Sequence, residues 1–366
     1  MGALTSCTPC PMMTRLHALL LLALAALTAT AADWPRWRGP GNDGFVPPGA
    51  PVPATLPSAP PERWRVEVTD SLASPVVSGG RVFHVDNRDG RETLHALEAA
   101  SGKELWSVGF DDVMKDQQSP PAPRCTPVVD GDRVYVQSCR GELQCLATAD
   151  GSKRWSVNYV RDFGAVFTGE KGTSMGASRH GYAGAPLVDG DRLFAVAGGT
   201  NGAGVVCLDK LSGREIWRSQ NDVAGYAPPV LATVAGARQL LVFTAEALLG
   251  LDPADGALRW RVPVKTAFGR HITAPVAVED LVLASSHQAG LMAVRVRREG
   301  DRWDAAPAWT SSENAVNMSC FVVVDHFLYG LLPGKKLGCV DVRTGERKWA
   351  SREALSGSLV KDLVHL

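Results

Sequence analysis

Five short segments carry the residue types able to hold an anion or move a proton: Arg124, His180-Gly181-Tyr182, Gly225-Tyr226, Arg270-His271 and Asn317-Met318. A guanidinium binds a carboxylate through two parallel hydrogen bonds. An imidazole within hydrogen-bond reach of a substrate acts as a base. The competing assignment for the same Tyr and His side chains is structural: they fill and hydrogen-bond a mouth of the fold. Gly172-Thr173-Ser174-Met175-Gly176 matches the G-x-S-x-G pattern of hydrolase nucleophiles, but that chemistry needs a strand, a strained turn and a helix. Here the match falls in a glycine-rich insertion, so no catalytic nucleophile is assigned. No C-x-x-C occurs with a second pair, and neither a D-x-D-x-D-G loop nor a phosphate-binding glycine loop is present. Zinc, haem and metal-loop chemistry therefore have no sequence support, and no metal ligand is assigned.

These segments need an architecture that gathers them, and an internal repeat supplies it. Five eleven-residue phrases run from Ala96 to Trp106, Cys145 to Trp155, Cys207 to Trp217, Gly250 to Trp260 and Cys339 to Trp349. Each opens on a small residue, places a glycine seventh (Gly102, Gly151, Gly213, Gly256, Gly345) and ends on an indole. A strand, a polar turn and a second strand starting near Trp fit this spacing. Upstream of the indoles stand Pro75, Pro127, Pro186, Pro229 and Pro275, with Cys320 in that place in the last unit, each followed by apolar residues. The turn signals Ser78-Gly79-Gly80-Arg81, Asp130-Gly131-Asp132-Arg133 and Asp189-Gly190-Asp191-Arg192 then separate a first strand from a second. The pattern predicts second strands over 133–138 and 192–196 and no interrupting amphipathic helix. Four short antiparallel strands per unit, at a period of about 45 residues, read as propeller blades.

Six units carry their own closing indole, Trp106, Trp155, Trp217, Trp260, Trp309 and Trp349, the fifth with a longer turn in which Trp303 competes with Trp309. A further strand of the same kind, Arg63–Val68 with Trp64, precedes every first strand and reads as the outer strand of a final blade. Only residues 356–366 follow the sixth unit, enough for one strand rather than three. The expectation is an all-β, seven-bladed propeller whose last blade is incomplete; the alternative is a six-bladed ring that closes without Trp64. In either ring, the crossings from one blade's outer strand to the next blade's inner strand gather Arg124, His180, Tyr182, Tyr226, Arg270 and His271 near one mouth of the channel, a usual place for ligands. The longest inserted loop, residues 158–185, is predicted to be functional, covering that mouth or presenting a partner surface.

Composition narrows the role. The formal charge is zero and no basic run occurs, so nothing favours nucleic acid. Arg15 and His17 precede the apolar run Ala18–Leu27, and Ala29-Thr30-Ala31 supplies small residues for cleavage. The run is short for a membrane span. The expected organisation is a signal peptide over 1–32, an extended Trp/Pro-rich arm over 33–62 and one propeller domain over 63–366. A periplasmic or secreted protein with no membrane span after cleavage is the expected product. Trp34 and Trp37 should pack the arm on the propeller, because an indole left in water forfeits a large apolar area. Cys145, Cys207 and Cys339 take the small-residue position and are expected as buried thiols; two of Cys125, Cys139 and Cys145 are candidates to pair in an oxidising compartment.

The eleven-residue phrase resembles the tryptophan-docking repeat of pyrroloquinoline quinone (PQQ) propellers. Asp209, Asp252 and Asp341 match that repeat's acid and Thr344-Gly345 its Thr-Gly pair, with Ser101-Gly102 and Ser212-Gly213 close to it, while Ala147 departs from it. The resemblance spans residues 63–355 and also admits eight blades. It implies that the indoles lie between blades and stabilise them. The family holds quinoprotein alcohol and glucose dehydrogenases, non-enzymatic scaffolds such as the propeller lipoprotein of the outer-membrane assembly machine, and secreted PQQ-like proteins, which the start Trp34–Pro40 resembles. The dehydrogenases carry a vicinal cysteine pair and a calcium site; this chain has no adjacent cysteines. The expected function is a non-enzymatic binding or scaffolding module for a protein partner or a small anionic ligand. The alternative is a PQQ- and calcium-dependent alcohol or sugar dehydrogenase, in which Arg270 and Arg124 hold the cofactor's carboxylates and His180 or His271 is the base.

Overall fold

Each apolar run pairs with the next run along the chain, so every sheet is a meander. The computed structural model describes residues 33–354 apart from 51–54, 56–57, 60, 117–118, 170–173 and 318. Its strands all fall in the larger of two compact units, residues 33–45 and 57 onward. Among the described residues they form six four-stranded antiparallel sheets. The first blade runs from β1 (Val76–Ser78) through β2 (Arg81–Arg88) and β3 (Arg91–Glu98) to β4 (Glu104–Asp112). The second blade starts at β5 (Val128–Asp130) and ends at β8 (Lys153–Asn158); the third starts at Leu187–Asp189 and ends at Glu215–Ser219. The fourth spans Val230–Val234 to Leu258–Pro263, the fifth Val276–Val278 to Arg302–Ser311, and the sixth Val322–Val324 to Arg347–Ala350. Every inner strand begins within two residues of the proline, or of Cys320, that marked it in the sequence. The fold is all-β as expected; its two short helices, α1 (Tyr159–Phe163) and α2 (Ala177–His180), span five and four residues. Both lie in the 158–185 insertion, and α1 forms because the Asn158 side chain accepts from Val160 N and Arg161 N.

The repeat has a physical purpose at each blade boundary. In all six blades the third and fourth strands slip by one residue directly after the small residue: Ala96, Cys145, Cys207, Gly250, Ala293 and Cys339. Such a bulge re-aims the side chain that follows. The small residues face their indoles across the strands, with Ala293 facing Trp309, so Trp309 rather than Trp303 closes the fifth blade. Trp303 instead lies under the guanidiniums of Arg259 and Arg298. Trp106, Trp155, Trp217 and Trp309 each reach into the next blade and donate Nε1–H to Thr148 O, Lys210 O, Pro253 O and Val342 O, at 3.1, 3.0, 3.3 and 2.8 Å. Each of these indoles lies on the next blade's turn glycine, where φ is +73° to +77° and an added Cβ would meet the ring at 2.6–2.8 Å. Glycine is therefore required twice over, by backbone conformation and by contact. Trp260 differs: the fifth blade's long hairpin offers no such turn, and its Nε1 donates to Gln239 Oε1 of its own blade.

Buried side chains between neighbouring blades make the core, as with Phe83, Val85 and Leu94 of the first blade against Val129, Val134 and Leu146 of the second. Cys145, Cys207 and Cys339 are buried as expected, and all six cysteines past residue 33 are unpaired. The three candidates for pairing turn to different partners: Cys125 Sγ to Thr126 O, Cys139 Sγ to Ala122 O, and Cys145 Sγ to Arg133.

The two ends of the blade series differ from its middle. Trp349 is 46% exposed, against 9% for Trp155 and 8% for Trp217. Arg63–Val68 forms no strand, yet Trp64 lies on Gly102 and donates to Ala99 O at 3.0 Å, as an outer-strand indole of a preceding blade would. The completing segment expected over 356–366 lies outside the described residues.

Candidate functional site

The crossings meet as their topology requires. A cavity of ≈ 170 Å³ takes a wall residue from each blade: Ser74, Arg124, Ala185, Tyr226, Ile272 and Cys320. Trp37 of the N-terminal arm also lines it. The arm reaches this place by running over the inner strands. Trp34 exchanges backbone hydrogen bonds with Val77, Pro35 O accepts from Val129 N at 2.8 Å, and Arg36 Nη1 donates to Val188 O at 3.0 Å. Proline and arginine suit this crossing, since the arm contributes isolated bridges rather than a ladder.

Arg124 is the best-held side chain of the mouth. Its Nη1 donates to His180 O at 2.5 Å, and its Nη2 pairs with the buried Asp116 carboxylate and donates to Ser119 Oγ at 2.6 Å. His180 Nε2 accepts from Arg179 Nε at 3.0 Å, which places the proton of the neutral ring on Nδ1, 3.6 Å from Asp116 Oδ2. Arg179 therefore already engages the lone pair that a base would need. The Tyr226 hydroxyl donates to Gly176 O at 2.6 Å, and its ring centroid lies 6.4 Å from that of His180. Burial pushes the Tyr226 phenol up to about 12, against the opposing pull of Arg124, Arg270 and Arg179. Of these guanidiniums, Arg124 is already paired with Asp116.

Arg270 is the least satisfied of the three. Its guanidinium stands 5.3 Å from the Phe268 ring centroid, with Arg179 4.5 Å from the same ring. Its Nε is buried without a hydrogen bond, and no carboxylate pairs with Arg270 among the described residues. The Arg124 Nε is likewise buried without a partner. The insertion is pinned over this side of the mouth: Gly176 N donates to Phe268 O at 2.9 Å and Ala177 N to Ala224 O at 2.8 Å. A side chain at Gly176 would meet Ala224 O at 2.1 Å.

Not every residue marked in the sequence reaches the mouth. Tyr182 is buried in the blade core, its hydroxyl donating to Ala197 O at 2.6 Å and its ring edge-on to Tyr159. His271 is fully buried, stacked 4.2 Å from Phe243, with its Nδ1–H donated to Thr244 O at 2.6 Å. Burial lowers its pKa to about 4, so it is neutral, and its Nε2 has no partner. Ser174 hydrogen-bonds Thr168 Oγ1 at 2.6 Å; Gly172, Thr173 and Met318 lie outside the described residues. Arg179, Asp116 and Phe268 belong to the site without having been singled out. Arg179 adjoins His180, but no sequence pattern shows which acid in a crossing turns back toward Arg124.

A calcium–quinone pair does not fit these residues. Calcium takes about 6–8 oxygen ligands, whereas no carboxylate lines this cavity and the nearby Asp116 is already paired with Arg124. Among the described residues no group of three His, Cys, Asp or Glu side chains is placed to hold a metal. Ligand pockets for larger molecules span about 300–1,000 Å³, more than this cavity provides. The donor set suits a small anionic group.

Comparison with known proteins places the chain. No curated protein matches its sequence. Among solved structures, BamB from Moraxella catarrhalis superposes with a TM-score of 0.50 at 16% identity, covering 79% of this chain and 76% of that one. A europium-containing methanol dehydrogenase superposes with a TM-score of 0.50 at 12% identity, covering 79% and 72%. At these identities the likeness is one of fold. The family model described as outer membrane protein assembly factor BamB matches residues 61–162 and 91–351. With that match over most of its length and a fold shared with both solved structures, the chain belongs to the PQQ-like β-propeller family of BamB-type repeats.

Proposed function

We propose that this protein is a non-enzymatic binding module of the periplasm or extracellular space, whose channel mouth takes a carboxylate group from a small molecule or a protein segment. One observation carries the reading: Arg124 and Tyr226 line a cavity with no carboxylate in its wall, and beside it Arg270, its Nε buried without a hydrogen bond, stands against the same Phe268 ring as Arg179. Arg270 is partly buried and has no ion-pair partner among the described residues, so an incoming carboxylate finds an uncommitted cation. Neither imidazole supports proton transfer, because His180 Nε2 is engaged by Arg179 and His271 is sealed in the core. The similarity to BamB, a protein named for assembly rather than for a reaction, supports a protein ligand as one source of the carboxylate. The dehydrogenase alternative draws on fold likeness alone.

The test is a titration of the mature protein with citrate, a hexaglutamate peptide, and PQQ with calcium, followed by Trp fluorescence because Trp37 borders the cavity. Citrate or peptide should give saturable binding, and Arg270→Ala should weaken it by about 10- to 100-fold, the worth of a hydrogen bond to a charged group. Affinity unchanged in Arg270→Ala, or no saturable change with citrate or peptide in folded protein, would refute the reading. Binding of PQQ with dye reduction would establish the dehydrogenase instead.

A further inference from the structure

Two of the buried polar atoms left without a hydrogen bond among the described residues belong to an acid and a base that act on each other. One is Oε2 of Glu92, a fully buried carboxyl on β3; the other is Nε of Arg124, in the crossing from the first blade to the second. Interior atoms of this kind are few, because each loses its hydration without a replacement.

One turn of the second blade joins the two groups. Glu92 Oε1 accepts from Cys139 N at 3.0 Å. Cys139 is clasped in turn by both segments that build the mouth. Its Sγ donates to Ala122 O at 3.7 Å, two residues before Arg124, and its carbonyl accepts from Tyr182 N at 2.9 Å, two residues after His180. Gly181 packs so closely there that an added Cβ would meet Cys139 O at 2.6 Å. Arg124 Nη1 then ties the two segments together through His180 O. A charge on Glu92 therefore reaches Arg124 across a space that water does not screen.

The groups around Glu92 leave Arg124 to answer that charge. Asp111 of β4 is itself an acid, its Oδ2 accepting from Ser138 Oγ at 2.5 Å. Cys125 and Cys139 are buried thiols that burial pushes up, so both stay neutral. Burial also raises the Glu92 carboxyl from 4.5 to about 7, against the Cys139 hydrogen bonds and the pull of Arg124, and with the push of Asp111. Arg124 already carries the buried Asp116, so a second anion leaves this end of the cavity net negative.

We propose that Glu92 is a proton switch for the channel mouth: neutral, it leaves the positive field of Arg124 open to an incoming carboxylate, and ionised, it cancels that field and weakens binding. The switch rests on the mouth's taking a carboxylate. By linkage, a bound carboxylate holds the proton on Glu92 more tightly, so binding near neutral pH takes up a proton.

The test titrates the mature protein with an N-acetylated hexaglutamate peptide, whose carboxyls stay ionised from about pH 6 to about pH 8.5. Affinity should fall by about 5- to 10-fold across that window, the low end of coupling between sites. Calorimetry in buffers of different ionisation enthalpy should show the proton uptake. Glu92→Gln keeps the bond from Cys139 N but never ionises, so its affinity should hold the low-pH value throughout and its proton uptake should vanish. Asp111→Asn should move the midpoint of the fall to lower pH, because Asp111 disfavours ionisation of Glu92. Circular dichroism at each pH verifies folded protein. Binding independent of pH, a fall of the same size in Glu92→Gln, or a midpoint that Asp111→Asn leaves in place overturns the switch and leaves the mouth a carboxylate site. No binding by folded protein at any pH overturns both.

Discussion

Replacing Gly213 by alanine tests the boundary between the second and third blades at one atom. Gly213 sits at φ +73°, and its new Cβ would lie 2.7 Å from Cδ2 and Cε3 of Trp155. A left-handed backbone costs an ordinary residue about 1–2 kcal/mol. The contact is about an ångström inside optimal carbon separation, so the indole must withdraw, which adds an overpacking cost of about 1–3 kcal/mol. Withdrawal also stretches the 3.0 Å bond from Trp155 Nε1 to Lys210 O, worth about 1 kcal/mol. The expected loss is therefore about 3–6 kcal/mol. Gly190 is the internal control: it too is left-handed, at φ +54°, but an added Cβ has nothing within 4 Å. Gly190→Ala should cost the backbone part alone, about 1–2 kcal/mol. Urea denaturation by circular dichroism, with Trp fluorescence on the same samples, measures both. Trp155→Ala should in turn render Gly213→Ala no costlier than Gly190→Ala, since the clashing ring is gone. Equal losses for the two glycine variants in the otherwise native chain would show that indole–glycine contact does not hold the blades together.

Trp349→Ala should cost under about 1.5 kcal/mol, against about 3–5 kcal/mol for Trp155→Ala, in the same urea experiment, because Trp349 is 46% exposed and Trp155 9%. Glu92 should make stability fall as pH rises: burial raises its carboxyl from 4.5 to about 7, so its protonated form is favoured by folding. That contribution is complete below pH 4.5, where the unfolded chain also keeps the proton, and is lost as pH climbs through about 7. The loss should reach about 3 kcal/mol, and Glu92→Gln should flatten it in unfolding curves taken across that window. A slope unchanged by Glu92→Gln would assign it to other groups.

The blade plan was legible because it rests on local chemistry. A turn that needs a left-handed backbone selects glycine, an inner strand follows proline, and an indole recurs at fixed spacing from both. Cys145, Cys207 and Cys339 were legible as buried residues for the same reason: their position recurs with Ala96 and Gly250 in it. The mouth was legible only in part. Arg124, His180 and Tyr226 converge there, but Tyr182 and His271 lie in the core, although each is one or two residues from a residue that lines the mouth or joins its network. A crossing has no repeating period, so the side its residues face depends on how the chain packs.

From the sequence alone, the repeat length, the order of strands within a blade and the recurring position of the closing indole follow, since they depend on pairing between residues close along the chain. Tertiary structure decided the rest. It chose Trp309 over Trp303 by register against Ala293, set Trp155 and Trp217 on glycines more than 35 residues away, and set Arg179 and Arg270 over one Phe268 ring. Each of these depends on residues distant in sequence. Nothing local distinguishes an indole that will find a glycine on the next blade from one that will not.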